Sequence, residues 1–374
     1  MSKRFDVAII GSGPAGATAA IKLAASGAKV ILLEKYALPR VKPCGGGVAP
    51  LVQEWFDFDL LPAVSLVARS VRCTFQLGSP VEGTVGGPGI WMVRRDTFDH
   101  FLVNEAAKRG AEIADACPVD ALCFREDHWF ITSNRDPIEA TYVIAADGAK
   151  GPCSKWLGIG IKKSNIAGAI EAESDLVKSQ DGVVHLDFGT VPGGYLWNFP
   201  KADGHSIGGG ALKGSAVKNL REITRQYCDA FHVDMETSRV YGHPMCLWSG
   251  KQKLHGRQCL VAGEAACVVD PFTAEGIRPS MLSGKLAAEA TLLALNGVPS
   301  ALANYTETLH EEHGIDMMWA KRLATLFYMA PKLAYDHAVM RPGAVDWVAD
   351  IMSGKRRYRD AAQSAIRRLN PLFS

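Results

Sequence analysis

The 374-residue sequence has almost no excess charge and no long apolar run, and both absences narrow what it can do. Its formal net charge of +2 argues against nucleic acid as a general partner. No apolar stretch reaches the roughly 18 residues that a membrane-spanning helix needs, so any membrane contact would be peripheral. Residues 1–4 lead directly into the first predicted strand, so we expect no signal peptide and a cytoplasmic location.

The cysteines and histidines lack the spacing of a metal site. The nine cysteines include no Cys-x-x-Cys pair, and the ten histidines show no ligand pattern. An odd, unclustered set of cysteines is typical of a reducing compartment with buried thiols. We therefore expect neither a zinc site nor a disulfide framework.

What the sequence does contain begins at its N-terminus. Residues 5–10 form an apolar run typical of a buried strand, and residues 11–16 read Gly-Ser-Gly-Pro-Ala-Gly. A predicted helix with small residues follows over 17–27, and a second apolar strand, 29–33, ends at Glu34. This order of strand, glycine turn, helix, strand and acid is that of a dinucleotide-binding unit.

Each glycine of the turn has a physical role in such a unit. Gly11 allows the tight turn, Gly13 lets a pyrophosphate approach the backbone, and Gly16 lets the helix pack closely on the strand. The free N–H groups and the dipole of the helix start attract the phosphates. Glu34 is placed to accept hydrogen bonds from ribose hydroxyls, which favours NAD or FAD over NADP. The residues that we expect to bind the cofactor here are Gly11, Gly13, Pro14, Ala15, Gly16 and Glu34.

Two further apolar strands end at residues suited to the same ligand. The strand over 142–146 stops at Asp147-Gly148, and the strand over 258–262 is followed by Gly263-Glu264 and a helix from about Arg278. Ligands of open α/β folds bind at this carboxyl edge of the sheet.

An aromatic stripe lies in the middle of the chain. Tyr195, Trp197 and Phe199 alternate within Pro-Gly-Gly-Tyr-Leu-Trp-Asn-Phe-Pro, residues 192–200, so they share one face of a strand. From spacing alone, a position in the core is favoured over a ligand wall.

Taken together, these three sites fit one flavin, and the sequence resembles the glutathione-reductase-type FAD fold in its para-hydroxybenzoate-hydroxylase-like branch. The resemblance covers most of the first 300 residues. Within this branch, residues 42–47 (Lys-Pro-Cys-Gly-Gly-Gly), 95–99 (Arg-Asp-Thr-Phe-Asp) and 192–200 resemble motifs of the geranylgeranyl reductase family. One departure is Glu264, because the family usually has aspartate there. The longer acid can still bond a ribityl hydroxyl after a small backbone shift.

The resemblance implies an α/β (α+β) fold in three parts, two of them discontinuous in sequence. These are a Rossmann-like FAD-binding domain (1–75, 90–160 and 250–300), an antiparallel-sheet substrate domain (76–89 and 161–249) and a C-terminal helical region (301–374).

The function that the resemblance implies is an FAD-dependent reductase. It would saturate carbon–carbon double bonds of a geranylgeranyl or related polyprenyl lipid by hydride transfer from reduced flavin. Tyr195, Trp197 and Phe199 would then border the lipid. Cys44 is the candidate proton source or relay, and the rings of Tyr195 and Trp197 would stabilise developing positive charge. Further cofactor contacts are expected from Lys35, Arg40, Cys44, Gly45, Gly46, Arg95, Asp147, Gly148, Gly263, Glu264, Gly276 and Ile277.

The sequence contains one dinucleotide fingerprint, so the electron donor (NADPH, ferredoxin or another) must visit transiently. Cations at 355–359, with Arg367 and Arg368, suggest either a solvated helix face or a peripheral membrane contact. Two alternative functions stay open: a flavin-dependent monooxygenase of the para-hydroxybenzoate-hydroxylase type, and a non-catalytic flavoprotein. A halogenase has no singled-out lysine to support it, and an iron–sulfur quinone oxidoreductase would need cysteines beyond Cys267.

Overall fold

The computed structural model of the protein describes residues 3–175, 182–212, 217–360 and 362. Eighteen strands lie within these residues. They are β1 (Lys3–Ile10), β2 (Val30–Leu33), β3 (Gly47–Val48), β4 (Leu66–Ala68), β5 (Ser70–Phe75), β6 (Gly78–Thr84), β7 (Ile90–Met92), β8 (Glu112–Ala114), β9 (Val119–Arg125), β10 (His128–Ser133), β11 (Ile138–Ala145), β12 (Ile166–Ser174), β13 (Val183–Phe188), β14 (Gly194–Lys201), β15 (Gly204–Ala211), β16 (Arg239–Cys246), β17 (His255–Gly256) and β18 (Cys259–Val261).

Nine α-helices lie in the same described ranges, together with short 3₁₀ and π-helical turns. The helices are α1 (Pro14–Ala25), α2 (Arg95–Lys108), α3 (Cys153–Trp156), α4 (Leu220–Asp229), α5 (Ile277–Leu295), α6 (Ala301–Leu309), α7 (Ile315–Met329), α8 (Pro331–Ala334) and α9 (Ala344–Met352). The 3₁₀ turns are Pro50–Trp55, Leu61–Ala63 and Gly263–Ala266, and the π-helical turns are His310–Gly314 and Tyr335–Val339.

The first large sheet has a parallel centre that places four strand ends at one edge. Its order is β17-β18-β11-β1-β2-β8, with the β9–β10 hairpin added to β11. The central strands pair in parallel, and the apolar side chains of β1 and β2 are buried because helices and neighbouring strands cover them. Consequently Gly11, Glu34, Asp147 and Gly263, which follow β1, β2, β11 and β18, come to the same edge.

Close packing of α1 explains two of the small residues. A Cβ on Gly16 would lie 1.9 Å from the carbonyl oxygen of Gly11, so only glycine lets α1 turn back onto β1. A Cβ on Gly284 would lie 2.1 Å from the carbonyl oxygen of Ala15, where α5 crosses α1. The start of α1 is thereby held against the first half of α5.

The second large sheet has the order β16-β12-β15-β14-β13-β5-β6 and is antiparallel except where β13 pairs with β5. Alternation along its strands gives it two different faces. One face packs Leu196 and Ile207 against α4, and the other carries the aromatic stripe of β14. A three-stranded sheet, β3-β7-β4, is formed by short strands on either side of the β5–β6 hairpin in sequence.

The C-terminal helices close the apolar side of this second sheet. Phe327 on α7 packs edge-to-face against Phe188 of β13 with ring centroids 5.2 Å apart, and Tyr335 donates a hydrogen bond to the carbonyl of Cys73 at 2.8 Å. No helix in the described ranges has the length and apolarity needed to cross a membrane. The same residues contain no cluster of three or more His, Cys, Asp or Glu that could hold a metal ion.

The fold class predicted from the sequence is confirmed: a Rossmann-like parallel sheet, a mainly antiparallel sheet and C-terminal helices. The three-part domain division stays a proposal. Sheet pairing places β5 with the antiparallel sheet, so we propose a first boundary near residue 69 instead of 75.

Candidate active site

A single cavity of about 590 Å³ runs from the carboxyl edge of the parallel sheet to the C-terminal helices. It is lined by nearly every residue for which the sequence predicts a role. The exception is Gly16, which lies buried in the first turn of α1. Residues from the first sheet, the second sheet and the loop over 35–47 thus meet in one chamber.

At one end of the cavity, the Glu34 carboxylate is held in place by its neighbours. It accepts hydrogen bonds from the Ser12 hydroxyl at 2.7 Å, from Arg40 Nε at 3.0 Å and from the Tyr36 amide at 3.1 Å. Burial raises the pKa of Glu34, but the charge of Arg40 and these hydrogen bonds outweigh it, so the pKa is lowered overall. Glu34 is therefore an ionised acceptor.

Two helices begin at this end without a side-chain cap. The N-terminus of α1 follows Gly13, and that of α5 follows Gly276. Gly13, Ala15, Gly276 and Ile277 all line the cavity. Uncapped N–H groups and two helix dipoles therefore make this part of the cavity favourable for negative charge.

Asp147 contributes an acceptor that nothing in the described chain uses. Its Oδ2 accepts a hydrogen bond from the Cys153 amide at 2.8 Å, whereas its Oδ1 is buried and has no partner among the described residues. Because a buried acceptor without a donor is costly, this oxygen fits a ligand hydroxyl or N–H group. Gly148, with φ of +79°, forms the turn that follows.

Three charged residues join the cofactor-side loop to α2. Arg95 forms two hydrogen bonds with Asp99, both at 2.7 Å, and Arg40 Nη1 lies 3.3 Å from the same carboxylate. Burial lowers the pKa of Arg95, but the charge of Asp99 and its hydrogen bonds raise it overall, with Cys44 adding to the effect. Asp99 thus holds two guanidinium groups in fixed positions at the cavity wall, while Lys35 lies exposed at the rim.

Glu264 follows β18 and binds groups from two distant segments. Its carboxylate lies 3.3 Å from Lys42 Nζ and 3.4 Å from His243 Nε2, and it accepts from the Cys246 amide at 3.3 Å. Burial raises the pKa of Glu264, but Lys42 and His243 outweigh burial and lower the pKa to about 2. Both carboxylate oxygens thus have protein partners, and the expected contact with a ribityl hydroxyl stays a prediction.

The aromatic stripe faces the cavity. Tyr195 and Trp197 are buried with ring centroids 5.8 Å apart, and the Tyr195 hydroxyl donates to the Thr273 carbonyl. Burial raises the pKa of Tyr195, so it stays neutral. A Cβ on Gly208 would lie 2.2 Å from the Trp197 ring, so the glycine gives the indole its space.

The loop that carries Cys44 packs directly on this stripe. A Cβ on Gly45 would lie 2.7 Å from the Phe199 ring and 3.2 Å from Trp197 Nε1. Gly46, with φ of +73°, approaches the Val93 carbonyl so closely that a Cβ would lie 2.1 Å from its oxygen. The predicted cofactor loop and the predicted substrate wall are therefore in contact.

Beyond the stripe the cavity wall is apolar. The side chains come from the second sheet, from the segment before α5 and from the C-terminal helices. They are Leu186, Phe188, Leu212, Val269, Phe272, Phe327, Val339, Val348, Ile351 and Met352.

The sequence analysis assigned no role to several polar residues of the site. Glu171 accepts from the Cys44 amide at 2.7 Å, Lys201 donates to the Gly45 carbonyl at 2.6 Å, and Lys42 and His243 contact Glu264. One signal was available: Glu171 and Lys201 are charged residues in mostly apolar strands, and Lys201 shares the alternation of the aromatic stripe.

Comparison with known proteins agrees with this geometry. Residues 4–191, which are 188 of the 374 residues, match the family model of the FAD binding domain. The geranylgeranyl diphosphate reductase of Rhodobacter capsulatus is 30% identical over 333 residues, which cover 83% of this chain and 81% of that protein. The digeranylgeranylglycerophospholipid reductase 2 of Methanopyrus kandleri is 27% identical over 350 residues, 86% of each chain.

A solved structure has the same fold. The crystal structure of a geranylgeranyl bacteriochlorophyll reductase-like protein from Thermoplasma acidophilum aligns with a TM-score of 0.79 over 94% of this chain and 92% of that chain, at 21% identity. FAD is the cofactor, and the chain is an oxidoreductase. The protein belongs to the geranylgeranyl reductase family of FAD-dependent oxidoreductases.

Proposed function

We propose that this protein saturates carbon–carbon double bonds of a geranylgeranyl or related polyprenyl lipid. The observation that carries the proposal is the single cavity, whose dinucleotide end continues past an aromatic face into an apolar end. A polyprenyl chain has an apolar surface and isolated double bonds. The apolar end of the cavity would bury the surface of the chain, and the aromatic face would orient its double bonds. The names of the two reductase relatives support the same substrate class.

We assign the cofactor contacts to residues whose geometry suits FAD. Gly11, Gly13, Pro14 and Ala15 would hold the pyrophosphate, Glu34 the ribose, and Asp147 Oδ1 a hydroxyl or N–H group. The N-terminus of α5, at Gly276 and Ile277, would stabilise negative charge on the flavin ring by about 0.3–1 kcal/mol. Reduced flavin supplies hydride when bound.

The second wall would orient the substrate. Tyr195, Trp197 and Phe199 present ring faces to the cavity, which attract developing positive charge on an alkene carbon. Cys44 lies on the loop against this wall and stays a candidate proton donor. Its role is tested by Cys44→Ala: near-normal turnover with FAD bound would exclude it.

The decisive experiment mixes anaerobically reduced holoprotein with geranylgeranyl diphosphate or a digeranylgeranylglycerophospholipid. We expect flavin reoxidation and a lipid product heavier by two hydrogens for each bond reduced, seen by mass spectrometry. Reoxidation only in O2, with hydroxylated product, would favour the monooxygenase. Absence of any substrate-linked reoxidation would favour a non-catalytic flavoprotein.

We also propose a peripheral membrane contact at the C-terminal helices. Leu326, Met329 and Leu333 are 61%, 72% and 60% exposed. They flank Phe327, which lines the cavity, and Lys321 and Arg322 lie on the same helix. An apolar patch with nearby cations suits an anionic lipid surface.

The cations at 355–359 support the membrane contact less than the sequence suggested, because two of them have partners within the protein. Lys355 donates to the Gly86 carbonyl at 2.6 Å, and Arg356 pairs with Asp350 at 2.8 Å. Arg367 and Arg368 lie outside the described residues. Flotation with anionic and neutral vesicles tests the patch: Met329→Glu should weaken binding, and equal flotation of wild type and variant would reject it.

A further inference from the structure

Two carboxyl groups lie side by side on the cavity face of the second sheet. Glu171 and Glu173 are two residues apart on β12, so their side chains point to the same face. Glu171 is 2% exposed and lines the cavity. Its Oε1 accepts the hydrogen bond from the Cys44 amide, while its Oε2 is buried and meets no N–H or O–H donor within the described residues.

The neighbouring acid explains why this oxygen has no donor. Glu173 is within hydrogen-bonding reach of Glu171, and a hydrogen bond between two carboxyl groups exists only when one of them keeps a proton. Arg94 and the Ser206 hydroxyl both donate to Glu173, which stabilises its negative charge. The proton therefore belongs on Glu171.

The groups that face Glu171 from other elements lead to the same protonation state. Burial, and then the charge of Glu173, raise the pKa of Glu171 to about 8, against the opposing effects of the Cys44 amide and of Lys201 on β14. The residues paired with Glu171 on the adjacent strands are Gly208 and Tyr241, and neither supplies a charge. Glu171 is consequently a neutral acid at pH 7.

The cavity wall next to this acid is aromatic. Glu171 and Trp197 both line the cavity, and the Trp197 ring fills the space over Gly208, which pairs with both residues. Trp197 Nε1 is a second buried polar atom without a partner among the described residues. The cavity wall beside Cys44 thus carries an acid next to an aromatic ring.

The charged cluster around Glu173 extends to the protein surface. Arg94, which pairs with Glu173, lies 3.0 Å from Asp203, whose side chain is 56% exposed. The neighbours of Glu171 on this side are therefore ionic groups with access to solvent.

We propose that Glu171 is the acid that gives the proton consumed in the reduction, an inference that rests on the proposed function. One alkene carbon takes the hydride that the reduced cofactor supplies, and the other takes the proton from the Glu171 carboxyl group. The π bond is replaced by two C–H bonds, and Glu171 is left as a carboxylate until solvent protonates it again. The Cys44 amide then has the task of orienting the acid.

The protonation state is tested by infrared spectroscopy on the oxidised holoprotein, independently of activity. The difference spectrum of wild type minus Glu171→Gln should show a protonated-carboxyl band at pH 7 that disappears as the pH rises through about 8. The subtraction is needed because burial also raises the pKa of Glu275 and Asp316. Glu82→Gln, which alters an exposed ion pair of the same sheet, is the control and should keep the band. Absence of the band at pH 7 in wild type would overturn the proposal.

The transfer is tested by single-turnover oxidation of the reduced protein with geranylgeranyl diphosphate. Glutamine keeps the hydrogen bond from Cys44 but has no transferable proton, so Glu171→Gln should slow product formation at least about 100-fold. Its flavin content and Tm should match wild type, Glu171→Asp should recover part of the rate, and the wild-type rate should fall above about pH 8.

Two results would refute the assignment while leaving the proposed function intact. A Glu171→Gln rate within about threefold of wild type would do so, as would a lowered flavin content or Tm that accounts for the loss. If Cys44→Ala alone abolished turnover, the proton would come from the thiol. If wild type converted no prenyl lipid, the proposed function itself would fail, and the acid role with it.

Discussion

The two ends of the cavity treat buried acids in opposite ways. At the dinucleotide end, Glu34 faces the guanidinium group of Arg40 and stays ionised. On the second sheet, Glu171 faces another acid and keeps a proton. The same functional group is a fixed negative charge in one region and a proton store in the other, and its neighbours alone decide which.

The two ends also differ in how they are built. The dinucleotide end consists of residues that directly follow strands, so short local motifs contain it. The second wall consists of side chains on one face of β12, β14 and β16, together with a loop more than a hundred residues away in sequence. Local sequence therefore describes the first end far better than the second.

The largest effect is expected from Asp99→Asn, which removes a buried carboxylate at the dinucleotide end of the cavity. Arg95 and Arg40 would lose the carboxylate that both contact, so we expect the free energy of unfolding to fall by about 3–5 kcal/mol. Chemical denaturation measures the loss. Glu82→Gln, in an exposed pair with Arg72, should change stability by less than about 1 kcal/mol. Equal effects of the two substitutions would contradict the role given to burial.

A substitution at Gly11 tests whether FAD binding at the dinucleotide end needs the close packing of two backbone segments. Gly11→Ala places a Cβ 2.4 Å from the Ala146 carbonyl oxygen at φ of +101°, so crowding and backbone strain together should cost about 2–5 kcal/mol and FAD should be lost. Gly110 has φ of +99° with no atom within 4 Å of a Cβ, so Gly110→Ala should cost only the strain of about 1–2 kcal/mol. Bound flavin per protein and Tm measure both. FAD retained by Gly11→Ala at the wild-type level would refute this reading.

Unfolding at low pH tests the contribution of Glu264, which contacts Lys42 on the cofactor-side loop and His243 on the second sheet. The pKa of Glu264 is lowered to about 2 from an ordinary value of 4.5, so its ionised form stabilises the native state above about pH 4.5. That contribution, up to about 3 kcal/mol, is lost as the pH falls from about 4.5 to about 2. Unfolding at several pH values should show the stability gap between wild type and Glu264→Gln shrinking over this window. A gap that does not change with pH would count against the ion pair with Lys42.

The smallest expected effect is on the aromatic wall. Trp197→Phe keeps an aromatic ring but loses area beside Tyr195, so we expect a loss of about 0.5–1.5 kcal/mol in kcat/KM for a prenyl substrate with FAD content unchanged. Steady-state kinetics and the flavin spectrum measure it. Loss of FAD from this variant would show that the two ends are less separate than described.

The sequence predicted the parallel sheet and the dinucleotide turn because Gly11, Glu34 and the apolar strands are local signals with fixed spacing. It also predicted that Cys44 and Trp197 share a cavity, although only through the family resemblance. Spacing alone had favoured a core position for the stripe, because an alternating aromatic strand looks the same whether its face meets protein or a cavity.

Glu171 and Lys201 escaped prediction for a different reason. Their effect depends on which strands pair, and strand order in an antiparallel sheet is set by contacts distant in sequence. The two π-helical turns at His310–Gly314 and Tyr335–Val339 cannot be distinguished from ordinary helix in the sequence, since one inserted residue hardly changes the apolar spacing.

Because the cavity is continuous, the binding of the cofactor and the binding of the lipid are coupled. Where two ligands share one wall-to-wall space, each forms part of the surface that the other buries. The factor by which flavin tightens the lipid must then equal the factor by which lipid tightens the flavin. A protein loaded with lipid should thus bind its cofactor more tightly than the lipid-free protein, so the substrate helps to retain the flavin.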